Sequence, residues 1–166
     1  EAAKKLSEAR QTVASRLGQE VTEQMQTLAM QGARFEVSLV PSDPTELGLE
    51  KCEFLIAGHA GVQTRPLIKV ASGGELARIS LAISVITAQV TPVPTLIFDE
   101  VDSGIGGAVA EVVGKMLKRL GEERQVLCVT HLPQVASCGN QHWRVEKHYT
   151  GTTTVSQLRV LRSEEH

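Results

Sequence analysis

The sequence predicts an α/β fold in which helices flank a parallel sheet and a long amphipathic helix comes first. Three observations carry that expectation. A helical apolar stripe runs through residues 1 to 31. A strand–helix–strand alternation fills residues 95 to 130. Glycine and proline breaks separate the elements at short intervals. With 166 residues, of which 42% are hydrophobic and 22% charged, the chain can bury one core of ordinary size.

The helix over residues 1–31 rests on Leu6, Ala9, Val13, Leu17, Val21, Met25 and Leu28, which recur in steps of three and four. Lys4, Lys5, Glu8, Arg10, Arg16, Glu20 and Glu23 occupy its other faces. Gly18 interrupts the stripe, so the helix either packs on the domain or forms the last turns of a coiled-coil arm. It opens without an N-cap, which points to a segment of something longer. Gly32 is expected to end it, and residues 32–166 then form the globular lobe.

Phe35, Val37 and Leu39 alternate as in a strand, with a loop expected from Pro41 to Gly48. Cys52, Phe54 and Ile56 alternate again, followed by a loop from Gly58 to Pro66. A helix is expected from 72 to 90, stopped by Thr91-Pro92-Val93-Pro94. Thr95 to Phe98 is a short apolar strand. Val109, Val112, Val113, Met116, Leu117 and Leu120 form a helical stripe that Gly121 ends. Gln125 to Val129 is a second apolar strand, expected to lie parallel to the first and buried with it. A short helix from Pro133 to Ser137 and a hairpin across Thr150-Gly151 complete the chain.

Bulk composition excludes several classes. The formal net charge is −2 and aromatics are 3%, so neither a basic nucleic-acid-binding domain nor a base-stacking platform is expected. Lys115, Lys118, Arg119 and Arg124 form a modest basic cluster that reads most simply as a solvated helix face. Cys52, Cys128 and Cys138 are odd in number and lack a CxxC pair, as in a reduced, cytoplasmic protein. No apolar run approaches the roughly 20 residues that span a membrane.

Four segments carry chemistry. Ser72-Gly73-Gly74-Glu75 has the spacing of a capping box, and its glycines would also let a phosphate approach a helix N-terminus. Thr95-Leu96-Ile97-Phe98 runs into Asp99 and Glu100, two carboxylates at the C-terminal edge of a parallel sheet, where α/β proteins place ligands. One such acid can hold the water shell of Mg²⁺ and the next can orient or deprotonate a water. Asp102-Ser103-Gly104-Ile105-Gly106-Gly107 is a glycine-rich turn into a helix. His131 ends the next strand, beside the two acids. A zinc site from Cys128-x₂-His131 and Cys138-x₃-His142 is the rival reading of the cysteines, although Cys128 inside an apolar strand is more simply a buried thiol.

The order SGGE, TLIFDE, VDSG and TH resembles the C-terminal lobe of ABC-type ATPase heads, with signature motif, Walker B, D-loop and H-loop in turn. Residues 69–78 and 98–107 narrow the resemblance to the RecN family of bacterial double-strand-break repair, relatives of the SMC and Rad50 proteins. Glu53 to Ala57, Pro66 to Lys69 and Thr130 to Ala136 agree. The resemblance covers about residues 35 to 148. It implies a DNA-repair ATPase working with ATP and Mg²⁺ in the bacterial cytoplasm at the nucleoid. Ser72, Gly73, Gly74 and Glu75 would face the nucleotide of a second head in an ATP-dependent homodimer. Asp99 would support Mg²⁺ through water, Glu100 would be the general base and His131 would sense the γ-phosphate. Asp102 and Ser103 would couple the two sites across the dimer, and residues 1–31 would be the returning end of a coiled-coil arm. Ala71 and Glu75 replace the Leu and Gln of transporters and match RecN-type heads.

A P-loop, G-x-x-x-x-G-K-[ST], is missing. Gly107 to Lys115 has the wrong spacing, ends in Met116 and lies on a helical stripe. The resemblance therefore implies an N-terminal P-loop lobe of the same protein as partner, and DNA contact through the full-length protein. The alternatives are a non-hydrolysing dimerisation or DNA-bridging module, and the head of another SMC-, Rad50- or RecF-like ATPase.

Overall fold

The computed structural model describes residues 1–69, 72–88, 90–151 and 153–161. Helix α1 spans Ala2–Thr27, followed by strands β1 (Arg34–Thr45), β2 (Gly48–Ala57) and β3 (Arg65–Pro66), and a 3-10 turn at Leu67–Lys69. Helix α2 (Gly73–Ile86), strand β4 (Thr95–Phe98), helix α3 (Gly107–Leu120), strand β5 (Gln125–Cys128) and helix α4 (Pro133–Ala136) form the central unit. Strands β6 (His142–Thr150) and β7 (Thr153–Leu161) pair as the antiparallel hairpin that the alternation predicts.

The core joins the second half of α1 to α2, α3 and the inner face of β4–β5. Val21, Met25, Leu28, Ile79, Leu81, Ala82, Val101, Ala110 and Val113 are fully buried, with Phe35, Ile56 and Phe98 beside them. Burial deepens along α1: Leu6 and Val13 are exposed, whereas Gly18, Val21 and Met25 are buried. Gly18 is the crossing point of β1, not a flaw in the helix. A Cβ there would lie 3.4 Å from the Phe35 carbonyl oxygen. One turn on, the Thr22 hydroxyl accepts the Phe35 N–H at 2.9 Å and donates to the Gly18 carbonyl at 2.7 Å.

Helix α1 stops at Thr27, four residues short of the expected end. Ala29 takes φ of 58°, and the Gln26 side chain organises the turn: its amide donates to the Ala33 carbonyl at 3.0 Å and accepts from the Gly32 N–H at 2.8 Å. The loop expected from Pro41 to Gly48 is mostly strand. Val40 still pairs with Lys51 and Pro41 with Glu50, the register shifts between Pro41 and Thr45, and Thr45 opposite Gly48 closes the hairpin. Proline is tolerated because β1 is an edge strand and the shift absorbs Pro44.

β4 and β5 are parallel, with Thr95 opposite Gln125 and Phe98 opposite Cys128. The expected burial holds on one face only. Leu96, Phe98, Val126 and Cys128 turn to the core, while Ile97 is 71% and Val129 63% exposed, with Leu127 also bare. Among the described residues this sheet has two strands, so nothing covers its second face.

Candidate nucleotide site at the ends of the parallel strands

The site begins where β4 ends. Phe98 is buried and anchors the strand, and the next two residues leave the core with exposed side chains. Asp99 Oδ1 accepts the Glu100 N–H at 2.9 Å, and the Ser103 N–H donates to the Glu100 carbonyl at 3.0 Å. These two bonds hold Glu100 in the left-handed region, φ 58°, a conformation that costs a side-chain-bearing residue about 1–2 kcal/mol. The chain then dives: Val101 is fully buried and Asp102 is 1% exposed.

Asp102 is the hub of the neighbouring segment. The Val129 N–H donates to the Phe98 carbonyl at 2.9 Å, extending the ladder past β5 and bringing residues 130 and 131 beside the turn. Asp102 Oδ2 accepts the Thr130 hydroxyl and the His131 N–H, the latter at 3.1 Å. His131 Nδ1 lies 3.3 Å from Asp102 Oδ1. Burial by itself raises the Asp102 pKa; the bonds from Thr130, His131 and Leu132 and the neighbouring imidazole outweigh it, so the carboxyl titrates below its usual range. A neutral His131 that carries its proton on Nδ1, the atom facing Asp102, would leave Nε2 for a ligand.

The Ser72 segment approaches from the other side. Ser72 caps α2, its Oγ accepting the Glu75 N–H at 3.3 Å. The return bond of a capping box, from the Ser72 N–H to the Glu75 carboxylate, is not formed among the described residues. Glu75 instead shares a shallow hollow with Met30, His59 and Arg65. Val70 and Ala71, which the resemblance also used, lie outside the described residues. Both glycines are approached by the neighbouring turn, Gly73 by the movable end of the exposed Glu100 side chain and Gly74 by Ser103. A Cβ on Gly73 would overlap the Glu100 carboxylate, and one on Gly74 would lie 3.0 Å from both Ser103 Cβ and Ser103 O. Ser72, Gly73, Gly74, Asp99, Glu100, Asp102, Ser103 and His131 thus gather at one end of the parallel strands. Glu75 alone turns aside, and the Asp102 carboxylate is engaged within its own chain.

Two contributors escaped the sequence reading. Arg78 is 6% exposed and donates from Nη1 to the Ser103 carbonyl at 2.8 Å. Thr130 is the hydroxyl on Asp102. Their signals were a cation inside the apolar stretch of α2 and a hydroxyl next to His131, both weak without tertiary contacts.

The remaining candidates place plainly. Burial pushes the Cys128 thiol up to about 11, with Asp102 and Asp99 adding to it, so without a metal it is protonated and unreactive. Among the described residues no three His, Cys, Asp or Glu side chains converge as a metal site. Residues 107 to 115 are helical, and Lys115 pairs with Glu111 at 2.6 Å. Arg124 is tied to the Ala88 carbonyl and exposed Lys115 to Glu111, while Lys118 and Arg119 are exposed beside them. No helix among the described residues is long and apolar enough to cross a membrane.

No family model matches the chain. Curated relatives do. It is 48% identical over 168 residues to the DNA repair protein RecN of Xylella fastidiosa strain 9a5c, covering 99% of this chain and 30% of that protein. RecN of Vibrio cholerae is 47% identical over 99% of the chain, and RecN of Deinococcus radiodurans 40% identical over 96%. The chain spans about 30% of the length of the relatives it matches. Among solved structures, the Smc head domain with a coiled coil and joint of Pyrococcus yayanosii superposes with a TM-score of 0.63, at 20% identity, over 98% of this chain and 30% of that one. The Smc head of Pyrococcus furiosus, solved with the C-terminal domain of ScpA, gives 0.61 at 21% identity, over 94% and 36%. The fold is similar to that of SMC head domains, and the sequence is similar to a segment making up about 30% of the RecN DNA repair proteins.

Proposed function

We propose that this chain is the C-terminal lobe of an ATP-binding, ATP-hydrolysing head of a RecN-type protein acting in double-strand-break repair and recombination. One observation carries the reading: three segments distant in sequence, residues 72–74, 99–103 and 130–131, converge at the carboxyl ends of β4 and β5, with Gly73 against Glu100, Gly74 against Ser103 and Asp102 holding His131.

The donor set fits a nucleotide with its metal. Asp99 is exposed, and among the described residues only its Oδ1 is engaged, by the Glu100 N–H, which leaves a carboxylate oxygen for the waters of Mg²⁺. Mg²⁺ bound there would neutralise phosphate charge. Glu100 is exposed and can turn from Gly73 to take a proton from the attacking water. His131 offers Nε2 to a phosphate oxygen while Asp102 fixes the ring. Ser72, Gly73 and Gly74 present the α2 N-terminus to an anion held by a second head, and exposed Ser103 meets that head across a homodimer. The phosphate-gripping P-loop comes from an N-terminal lobe of the same protein, with DNA engaged by the full-length protein in the bacterial cytoplasm. Residues 1–31 continue into a coiled-coil arm, in keeping with the exposed first half of α1. A non-hydrolysing module would have no use for a carboxylate held at φ 58° at a strand end.

The test is ATP turnover by a full-length RecN-type head carrying this lobe. Glu100→Gln should lower turnover by about 10²-fold or more, the scale of a lost general base, while nucleotide still drives head dimerisation. Unchanged turnover would mean that the motif assignment is wrong at its centre.

A further inference from the structure

Among the described residues, only Arg78 and Asp102 are charged and buried. Asp102 has a full set of partners. Arg78 does not: no carboxylate pairs with it, Nε has no partner, and its one hydrogen bond runs from Nη1 to the Ser103 backbone carbonyl. Burial lowers its pKa, and Glu75 offsets that only in part. A guanidinium buried against a neutral carbonyl costs free energy that an apolar side chain would avoid. Its position shows what it holds. The Nη1 atom lies 3.2 Å from where a Gly74 Cβ would be, and Gly74 itself packs on Ser103. Arg78 therefore threads beneath the signature turn and grips the D-loop backbone from inside.

We propose that Arg78 is a positioning residue that locks the D-loop to the signature turn, so that the two motifs move as one body. Asp102 extends the connection to His131, giving one continuous path from α2 through the D-loop to the H-loop. Three motifs distant in sequence then respond together to a phosphate at any one of them. The proposal rests on the half-site reading above, and its test separates the two.

The test uses a full-length RecN-type protein with Arg78→Met, Arg78→Lys, Gly74→Ala and Glu100→Gln. Arg78→Met should lower kcat by about 10-fold or more and leave KM for ATP within about twofold, since misplacing a motif by an ångström costs rate more than nucleotide affinity. Its unfolding temperature should not fall, because an apolar chain replaces an unpaired buried cation. Amide hydrogen exchange at Ser103 to Ile105 should quicken by about 10-fold, the scale of one charge-assisted bond. Arg78→Lys restores a single donor and should recover part of both effects. Gly74→Ala pushes on Ser103 and should reproduce the kcat loss without adding to that of Arg78→Met in the double variant. If Arg78→Met does not accumulate folded, Arg78→Lys and Gly74→Ala carry the same comparison. The proposal is overturned if Arg78→Met keeps wild-type kcat while Glu100→Gln abolishes turnover, or if D-loop exchange is unchanged. A Glu100→Gln head that still hydrolyses ATP overturns the half-site reading and this proposal with it.

Discussion

Asp102 shows how a single buried carboxylate can organise the more exposed residues around it. It is 1% exposed, yet it collects the Thr130 hydroxyl, the His131 N–H and the His131 ring. Asp102→Asn keeps one acceptor and turns an N–H₂ toward a donor, which should cost about 1–3 kcal/mol and reverse the His131 tautomer. The pH dependence has a definite sign. The folded-state pKa lies below the ordinary 3.8, so the group's stabilisation is fully present above that value and is lost as pH falls through the folded pKa. Thermal unfolding should therefore separate wild type from Asp102→Asn at neutral pH, with the gap closing below about pH 4. A gap that persists in acid would mean that packing, and not the charge, is what Asp102 contributes. The ¹⁵N shifts of His131 report the tautomer independently.

At the scale of elements, legibility tracks how local the cause is. Apolar period and flanking breaks, which act within a few residues, locate the strand Thr95–Phe98, the helix carrying the Val109 to Leu120 stripe and the strand expected over Gln125–Val129, which ends one residue sooner at Cys128. The ends of α1 and β1 were misread because distant side chains decide them: Gln26 caps a turn at Ala33, and β2 keeps Pro41 in register. The site divides the same way. Motif residues showed in sequence, whereas Arg78 and Thr130 acquire a role only when segments 25 and 28 residues apart meet. Gly18 is a case where a local rule misleads, since it reads as a break in α1 but marks the seat of β1. Its would-be Cβ makes only ordinary contact, 3.4 Å from the Phe35 oxygen. Gly18→Ala should therefore stabilise the chain by about 0.5–1 kcal/mol through helix propensity. Gly18→Leu should lift β1 from α1 and destabilise by about 1–3 kcal/mol, as overpacking does. Equal stability of the two variants in denaturant unfolding would show that β1 does not ride on this turn.

Among the described residues apolar surface is left bare at several places, two sheet faces among them. On the outer face of β4–β5, Ile97, Leu127 and Val129 are exposed in a row. On one face of the hairpin, Trp143 with its cross-strand neighbour Val160, and Val145 with Leu158, are more than half exposed. A parallel pair normally carries cover on both faces, because its backbone and side chains are built for a dry environment. β4 and β5 also each have an unpaired edge among the described residues, a template for another strand. On the proposed reading, these features are complementary to a lobe that adds parallel strands and a phosphate loop. The chain produced alone should then bind a hydrophobic dye such as ANS, self-associate on size exclusion and show no ATP turnover. Joined to a P-loop lobe it should lose most of the dye signal and run as a discrete species. If dye binding is the same with and without that lobe, the bare β4–β5 face is not where the second lobe sits. The half-site would then have to be completed through the hairpin or the free edge of β1.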